Sequence, residues 1–313
     1  MILLASRAVP KEADQMPQHQ VAPIENRTIR GILLMLVALL GFSGIDTCAK
    51  WLVLDGLPTA EVVFVRYLGH FVLVLAIALP SREGFLRTGN PGAVLVRGAF
   101  LLFSTVLNFA ALVYLPLTTT AAIFFSSPLW ICLLSIPLLG EEVGPRRWAA
   151  MFVGFLGVLV VTRPWAGQMH PAMLLSIGAA LCGALYSILT RMLAGRDSAT
   201  TQQFYAGLVA TVGMAPLALP GWVWPSGVAS WLAFFAIGLF GWGSHQVLIM
   251  AHRFAPASTL APVGYTQMLY MIASSWIIFA QPPDGWVLAG AAIVAASGLY
   301  IWLRERALAR NPL

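Results

Sequence analysis

The run from Arg30 to Trp51 reads RGILLMLVALLGFSGIDTCAKW. It is almost wholly apolar, and as a helix rising about 1.5 Å per residue it is long enough to cross roughly 30 Å of hydrocarbon. The same run also carries Ser43, Asp46 and Lys50, groups that are expensive at bilayer depth. A membrane-spanning helix with a polar face inside it therefore sets the terms on which the rest of the chain is read.

The whole chain agrees. Of its 313 residues 59% are hydrophobic and only 10% charged, and the mean hydropathy is +0.82. A soluble domain carries roughly 25% charged residues and has no interior able to hide this much apolar surface. The net charge of +6 does not point to nucleic acid, because the basic residues stand singly in short breaks between apolar runs. Cys48, Cys132 and Cys182 all lie in apolar runs without a Cys or His at metal-ligand spacing, and read as small core residues. No metal and no cofactor is expected. Residues 1–28, with Lys11, Glu12, Asp14, Pro10 and Pro23, read as a disordered cytoplasmic tail.

Ten spans follow from the spacing of the apolar runs: 30–51, 60–79, 94–114, 118–138, 147–163, 171–191, 201–219, 231–250, 257–279 and 286–303. The breaks carry helix-stop and turn chemistry, as at Gly140-Glu141-Glu142 and Gln281-Pro282-Pro283-Asp284-Gly285. With the N-terminus inside, the cytoplasmic side collects Arg7, Lys11, Arg27, Arg30, Arg82, Arg87, Arg97, Arg146, Arg147, Arg191, Arg196, Arg253, Arg304, Arg306 and Arg310. That is 15 of the 18 basic residues. Arg163 alone falls in an outer loop, while Lys50 and Arg66 belong to spans. The bias predicts both termini in the cytoplasm.

The halves resemble each other at an offset of about 140 residues. The run from Tyr114 to Thr120 aligns with Arg253 to Thr259, Lys50 with Arg191, Phe64 with Phe204, Gly157 with Gly298, and Gly140-Glu141 with Phe279-Ala280. Five spans per unit is an odd number, so the second unit enters from the opposite side. The expected fold is an all-α polytopic membrane protein, its ten transmembrane helices arranged as two inverted five-helix repeats around a central cavity. Residues 29–165 form the first repeat, 166–304 the second and 305–313 a short cytoplasmic tail. Inverted repeats are a device of secondary carriers, since exchanging the conformations of the halves exchanges the open side.

Ser43, Asp46 and Lys50 share one face of span 1 at i, i+3 and i+7, and Arg66 enters span 2 from the same side. Either this cluster gates the outer side or holds a substrate carboxylate on Lys50 or Arg66, or Asp46 and Lys50 form a structural ion pair. Further polar groups that should turn inward are Ser104 and Asn108, Ser126-Ser127, Tyr186 and Ser187, His245 and Gln246, and Tyr265 and Gln267. Tyr265, Tyr186, Phe103 or Trp242 would supply an aromatic wall. Interhelical bridging is the bland alternative for each. His70 reads as packing and His252 as lying at the membrane edge. Pro128 and Pro262 stand at comparable depths and are candidates for gating kinks, while Gly154, Gly157, Gly238 and Gly290 read as close-packing positions.

Several of these residues also carry a resemblance. Gly41-Phe42-Ser43, Lys50, Pro58, Arg66, Ala110-Ala111-Leu112-Val113-Tyr114, Ser127-Pro128-Leu129, Gly140-Glu141 and Gly157-Val158 resemble the ten-helix EamA-type branch of the drug/metabolite transporter superfamily. Within that branch the chain is similar to the YddG group of amino-acid exporters. The resemblance implies two five-helix halves around a cavity and export from the cytoplasm across a bacterial inner membrane. Span 1 lacks the glutamate with which the related four-helix multidrug exporters exchange protons for cations, which disfavours a lipophilic-cation pump.

No P-loop, G-x-S-x-G elbow or H-E-x-x-H occurs, so ATP hydrolysis through a P-loop and catalysis are not expected. The reading that results is a carrier, not an enzyme, exporting neutral or aromatic amino acids and related metabolites by alternating access. Carriers of nucleobases, nucleotide-sugars or quaternary ammonium compounds, a membrane enzyme and a receptor-like protein are the alternatives. Its partners are a small solute and the lipid bilayer, with no nucleic acid, and it is expected to be a monomer.

Overall fold

The computed structural model describes residues 24–81, 84, 86–112, 114–115, 117–166 and 170–310. Twelve α-helices follow one another among them: α1 Ile24–Leu54, α2 Thr59–Ser81, α3 Pro91–Leu112, α4 Leu117–Phe124, α5 Ser127–Leu139, α6 Pro145–Thr162, α7 Met173–Leu193, α8 Ala199–Ala218, α9 Val228–Phe254, α10 Ala257–Leu260, α11 Thr266–Phe279 and α12 Gly285–Arg310. Two 3-10 turns, Pro164–Ala166 and Pro262–Tyr265, complete the list. No strand is present among the described residues; an α-helix satisfies its own backbone hydrogen bonds in hydrocarbon.

Among the described residues, eight helical segments are long and apolar enough to cross a membrane, including Arg27–Leu54, Thr59–Pro80 and Thr120–Leu139. Two of the ten expected spans depart from this. The run expected at 201–219 falls in α8, whose first turns hold Thr200, Thr201, Gln202 and Gln203. The span expected at 257–279 is not one helix. It breaks at Pro262–Tyr265 between α10 and α11, and the span expected at 118–138 breaks likewise at Phe125-Ser126 between α4 and α5. Proline is the physical reason in both places. Pro262 opens the 3-10 turn and Pro128 stands in the first turn of α5, where a missing N–H costs nothing.

The termini also differ from expectation. Residues 1–23 of the expected tail lie outside the described residues, but helix begins at Ile24. The expected C-terminal tail is helical through Arg310, and 311–313 lie outside. Arg97, counted among the loop cations, stands inside α3 with no exposed surface.

The ends of α5 and α11 are built alike. Gly140 takes the left-handed conformation at φ 65°, and the Glu141 N–H closes back on the Ser135 carbonyl at 3.2 Å. Ala280 takes it at φ 52°, and the Gln281 N–H closes on the Ser275 carbonyl at 3.1 Å. The structural counterpart of Gly140-Glu141 is therefore Ala280-Gln281, one residue on from the sequence alignment. Glycine reaches this conformation freely, whereas alanine does so at a cost of about 1 kcal/mol.

The first half packs on the second, helix by helix: α1 on α9, α2 on α8 and α9, α3 on α7 and α8, and α6 on α12. Small residues set the distances. A Cβ on Gly290 would stand 2.6 Å from the Gly157 carbonyl oxygen, and one on Gly238 would stand 2.8 Å from the Gly69 Cα, so these helices meet backbone to backbone.

Candidate functional site

A cavity of about 380 Å³ lies between the halves. α1 presents Met35, Leu39, Phe42, Ile45 and Asp46 to it, residues that recur at helical spacing along one face. α3 adds Leu101, Ser104, Thr105, Asn108 and Phe109. The broken spans meet it with Phe124, Phe125, Ser127 and Pro128 on one side and Leu260, Ala261 and Gly264 on the other. The wall is mostly apolar and aromatic, with few polar groups.

Those polar groups are specific. Asp46 Oδ2 accepts from Gln267 Nε2 at 3.1 Å. Arg66 lines the same space, near enough to Asp46 to interact with its charge; its Nε is buried with no hydrogen bond among the described residues, and its guanidinium lies 5.1 Å from the centre of the Tyr67 ring. Asn108 Oδ1 is buried without a partner in the protein. Opposite charges thus face one cavity, the anion held by an amide and the cation by no hydrogen bond among the described residues.

Tyr186 forms the inner part of the wall and is fixed from behind. Arg97 donates to its hydroxyl at 2.7 Å, and the hydroxyl lies 2.7 Å from His245 Nδ1. With Arg97 supplying a donor, the phenol proton goes to Nδ1, which puts the imidazole hydrogen on Nε2. Arg97 also donates to Thr190 Oγ1 at 2.7 Å and to the Gln202 carbonyl at 2.9 Å. His70 stacks on His245 at 5.6 Å between centroids.

Of the residues singled out in the sequence, Asp46, Arg66, Ser104, Asn108, Ser127, Pro128, Tyr186, Ser187, His245 and Gln267 line the cavity. Others do not. Ser43 is buried away from the wall, because it lies on a different face of α1 from Phe42, Ile45 and Asp46. Lys50 donates to Gln281 Oε1 at 2.9 Å and stands 4.2 Å from the Phe279 ring centre, so neither a carboxylate subsite on Lys50 nor an Asp46–Lys50 pair is formed. Gln246 accepts from Gln203 Nε2. Tyr265 is sealed in a core cluster with Phe125, Val158, Met268 and Val294. Pro262 sits in the turn behind the wall, buried. Phe103 is 54% exposed and faces outward, and Trp242 is not on the wall.

Sequence reasoning missed Phe42, Phe109, Phe124 and Phe125, all on the wall, and His252, expected at the membrane edge, is instead buried on that wall. Phe42 was within reach: it lies four residues before Asp46, on the same helical face. Among the described residues no three His, Cys, Asp or Glu side chains gather as a metal site requires.

The EamA-like transporter family profile matches twice, over residues 29–163 and 170–303. A riboflavin transporter of Vibrio cholerae is 32% identical over 282 residues, covering 89% of this chain and 94% of that protein. An S-adenosylmethionine uptake transporter of Rickettsia felis is 28% identical over 278 residues, again covering 89% and 94%. A riboflavin transporter of Rhizobium johnstonii is 28% identical over 301 residues, covering 95% and 99%. A solved crystal structure, described only as that of a protein, superposes with a TM-score of 0.74 over 87% of this chain and 98% of that one at 21% identity, a likeness of fold alone.

Proposed function

The chain belongs to the EamA-like transporter family, as a multi-pass secondary transporter and not an enzyme, and from that premise we propose that it carries a flat, ring-bearing metabolite of the riboflavin class through the cavity between its halves. The observation that carries this is the wall itself. Phe42, Phe109, Phe124, Phe125 and Tyr186 surround about 380 Å³, at the small end of ordinary small-molecule sites, and a few polar groups at fixed places orient the guest. Relatives named for riboflavin support it.

One observation favours a second reading. Asp46 and Arg66 offer opposite charges to the same space, the pattern that suits a zwitterionic head group. An amino acid, as the likeness to the YddG exporters implies, or the aminoacyl end of an S-adenosylmethionine-like solute fits that description. The relatives named above carry riboflavin or S-adenosylmethionine names, which supports ranking aromatic amino-acid export second.

The two profile matches support reading the domains as 29–165 and 166–304, each five spans long and inverted relative to the other, with α8 and the broken α10–α11 segment as the seventh and ninth crossings. On that reading the cavity opens alternately to each side. The loop charges support cytoplasmic termini in a bacterial inner membrane, and a complete cavity within one chain supports a monomer. Asp46, Arg66, Asn108, Tyr186, His245 and Gln267 are the proposed substrate contacts, and the breaks at Pro128 and Pro262 the flexible points.

Proteoliposome counterflow tests the substrate. Labelled riboflavin should enter saturably and be displaced by unlabelled riboflavin, with S-adenosylmethionine and phenylalanine as competitors that report the second reading. Flux of all three at the level of empty liposomes would overturn both.

A further inference from the structure

Two contacts outside the cavity repeat each other across the halves. Lys50, at the far end of α1, donates to Gln281, which directly follows α11. Arg191, in the last turn of α7, lies 3.7 Å from Oε1 of Glu141, which directly follows α5. Lys50 and Arg191 occupy matching positions in the two repeats, and Glu141 and Gln281 follow matching left-handed helix ends at Gly140 and Ala280. Each contact therefore joins the first span of one repeat to the fourth span of the other. In the proposed orientation they lie at opposite faces, Lys50–Gln281 outside and Arg191–Glu141 inside. None of the four residues lines the cavity, yet each pair ties together helices that do.

We propose that these are the two gate latches of the transport cycle and that they are unequal. The inner one is charge-assisted and multiple. Glu141 Oε1 and Oε2 accept the N–H groups of Ala257 and Ser258 at 2.9 and 2.8 Å, and Arg191 also donates to the His252 carbonyl. A carboxylate thus fastens the end of α5 to α7 and α10 together. The outer latch offers Lys50 a neutral amide, whose oxygen also accepts from Ser275 Oγ at 3.1 Å. A hydrogen bond with an ionised donor or acceptor is roughly twice as strong as a neutral one, and the inner latch has three of them, two accepted by Glu141 and one donated by Arg191, against the single Lys50–Gln281 bond of the outer latch. The inner gate accordingly holds harder, and the carrier rests with its cavity turned outward. The identity of residues 141 and 281, one an acid and the other its amide, sets that bias.

The inference rests on the alternating-access reading and its orientation but not on the substrate, so the test uses no solute. Ser187, on the cavity wall, is replaced by cysteine as a reporter in a chain whose Cys48, Cys132 and Cys182 are alanine. A membrane-impermeant maleimide is then applied to right-side-out and inside-out vesicles. Gln281→Glu, which gives Lys50 a charged partner, should slow labelling from outside about fivefold and speed it from inside, a shift at the low end of coupling between sites. Glu141→Gln should move both rates in the same directions by loosening the inner latch. Lys50→Ala should do the reverse and raise labelling from outside. If Glu141→Gln does not yield monodisperse protein, Gln281→Glu and Lys50→Ala decide the matter. Rates within twofold of the parent from both sides, or shifts of the opposite sign, would overturn the proposal.

Discussion

Arg97 and Arg66 are both arginines within apolar helices, and their surroundings are opposite. Arg97 has no exposed surface, and all three of its nitrogens reach neutral acceptors: Thr190 Oγ1, the Gln202 carbonyl and Tyr186 Oη. Its charge is further spread over the Tyr186 ring, 4.4 Å away. Arg66 faces the cavity with only the Tyr67 ring, 5.1 Å away, and the charge of Asp46 near it, and with no hydrogen bond among the described residues. An ionised group in a membrane interior persists only where something stabilises it. For Arg97 the protein supplies all of it. For Arg66 the protein leaves that part to water and to whatever enters the cavity, so one arginine is scaffold and the other is site.

The largest effect should follow from removing the scaffold. Arg97→Leu leaves three buried acceptors short of a donor, at about 1–3 kcal/mol for each one left unpaired, and frees the Tyr186 ring on which the cavity wall depends. The variant should aggregate on size-exclusion chromatography or melt well below the parent. A monodisperse Arg97→Leu protein with the parent's melting temperature would erase the contrast between the two arginines.

Arg66→Ala should do the converse. Its melting temperature should stay near the parent's, because among the described residues Arg66 forms no hydrogen bond and only its Tyr67 ring contact and its attraction to Asp46 are lost. Counterflow should fall at least about tenfold, since a hydrogen bond to a charged group is worth roughly 1.5–3 kcal/mol. Unchanged flux would remove Arg66 from the site. Asp46→Asn is a smaller and more selective change. The amide keeps the volume and can still bond Gln267 but removes the negative charge, so a solute with a cationic group should lose about two- to tenfold in apparent affinity while neutral riboflavin keeps its own. Equal losses for both would mean that Asp46 only positions Gln267.

Much of this contrast was legible in the sequence, and the part that was not has a physical cause. Asp46, Arg66 and Gln267 announced themselves because ionisable and amide groups inside apolar runs are too costly to be incidental. Arg97 was misplaced in a loop because a charge near a span's cytoplasmic end looks the same whether it snorkels to water or is sealed inside; only its burial against α7 and α8 separates the two. The aromatic wall was hidden for a related reason. Lumen and lipid both accept phenylalanine, so hydropathy cannot tell Phe109, on the wall, from Phe103, which is 54% exposed. Helical phase tells them apart: Leu101, Ser104 and Asn108 recur on one face, and Phe103 points away from it. The match between Glu141 and Gln281 escaped because alanine, not glycine, ends α11, so the signature vanished while its geometry stayed.

A third arginine gives the comparison its reference point. Arg163 donates to Asp284 Oδ2 at 2.8 Å across the loops after α6 and before α12, with both side chains well exposed, at 40% and 50%. The Val287 N–H bonding Asp284 Oδ1 at 2.8 Å, with Arg163 adding to it, holds the Asp284 carboxyl below its ordinary value. A carboxyl lowered in the folded state contributes stability above its unfolded pKa of about 3.9 and loses it as pH falls through the folded value. Water and salt screen so exposed a pair. Asp284→Asn should therefore leave flux and melting temperature at pH 7 essentially where they were. Parent and variant should melt in parallel from pH 8 down to about pH 5, and the parent's small advantage should shrink only below about pH 4. A melting difference that instead closes between pH 8 and 6 would show that a group other than the Asp284 carboxyl controls it, and the exposed pair would lose its place as the reference point.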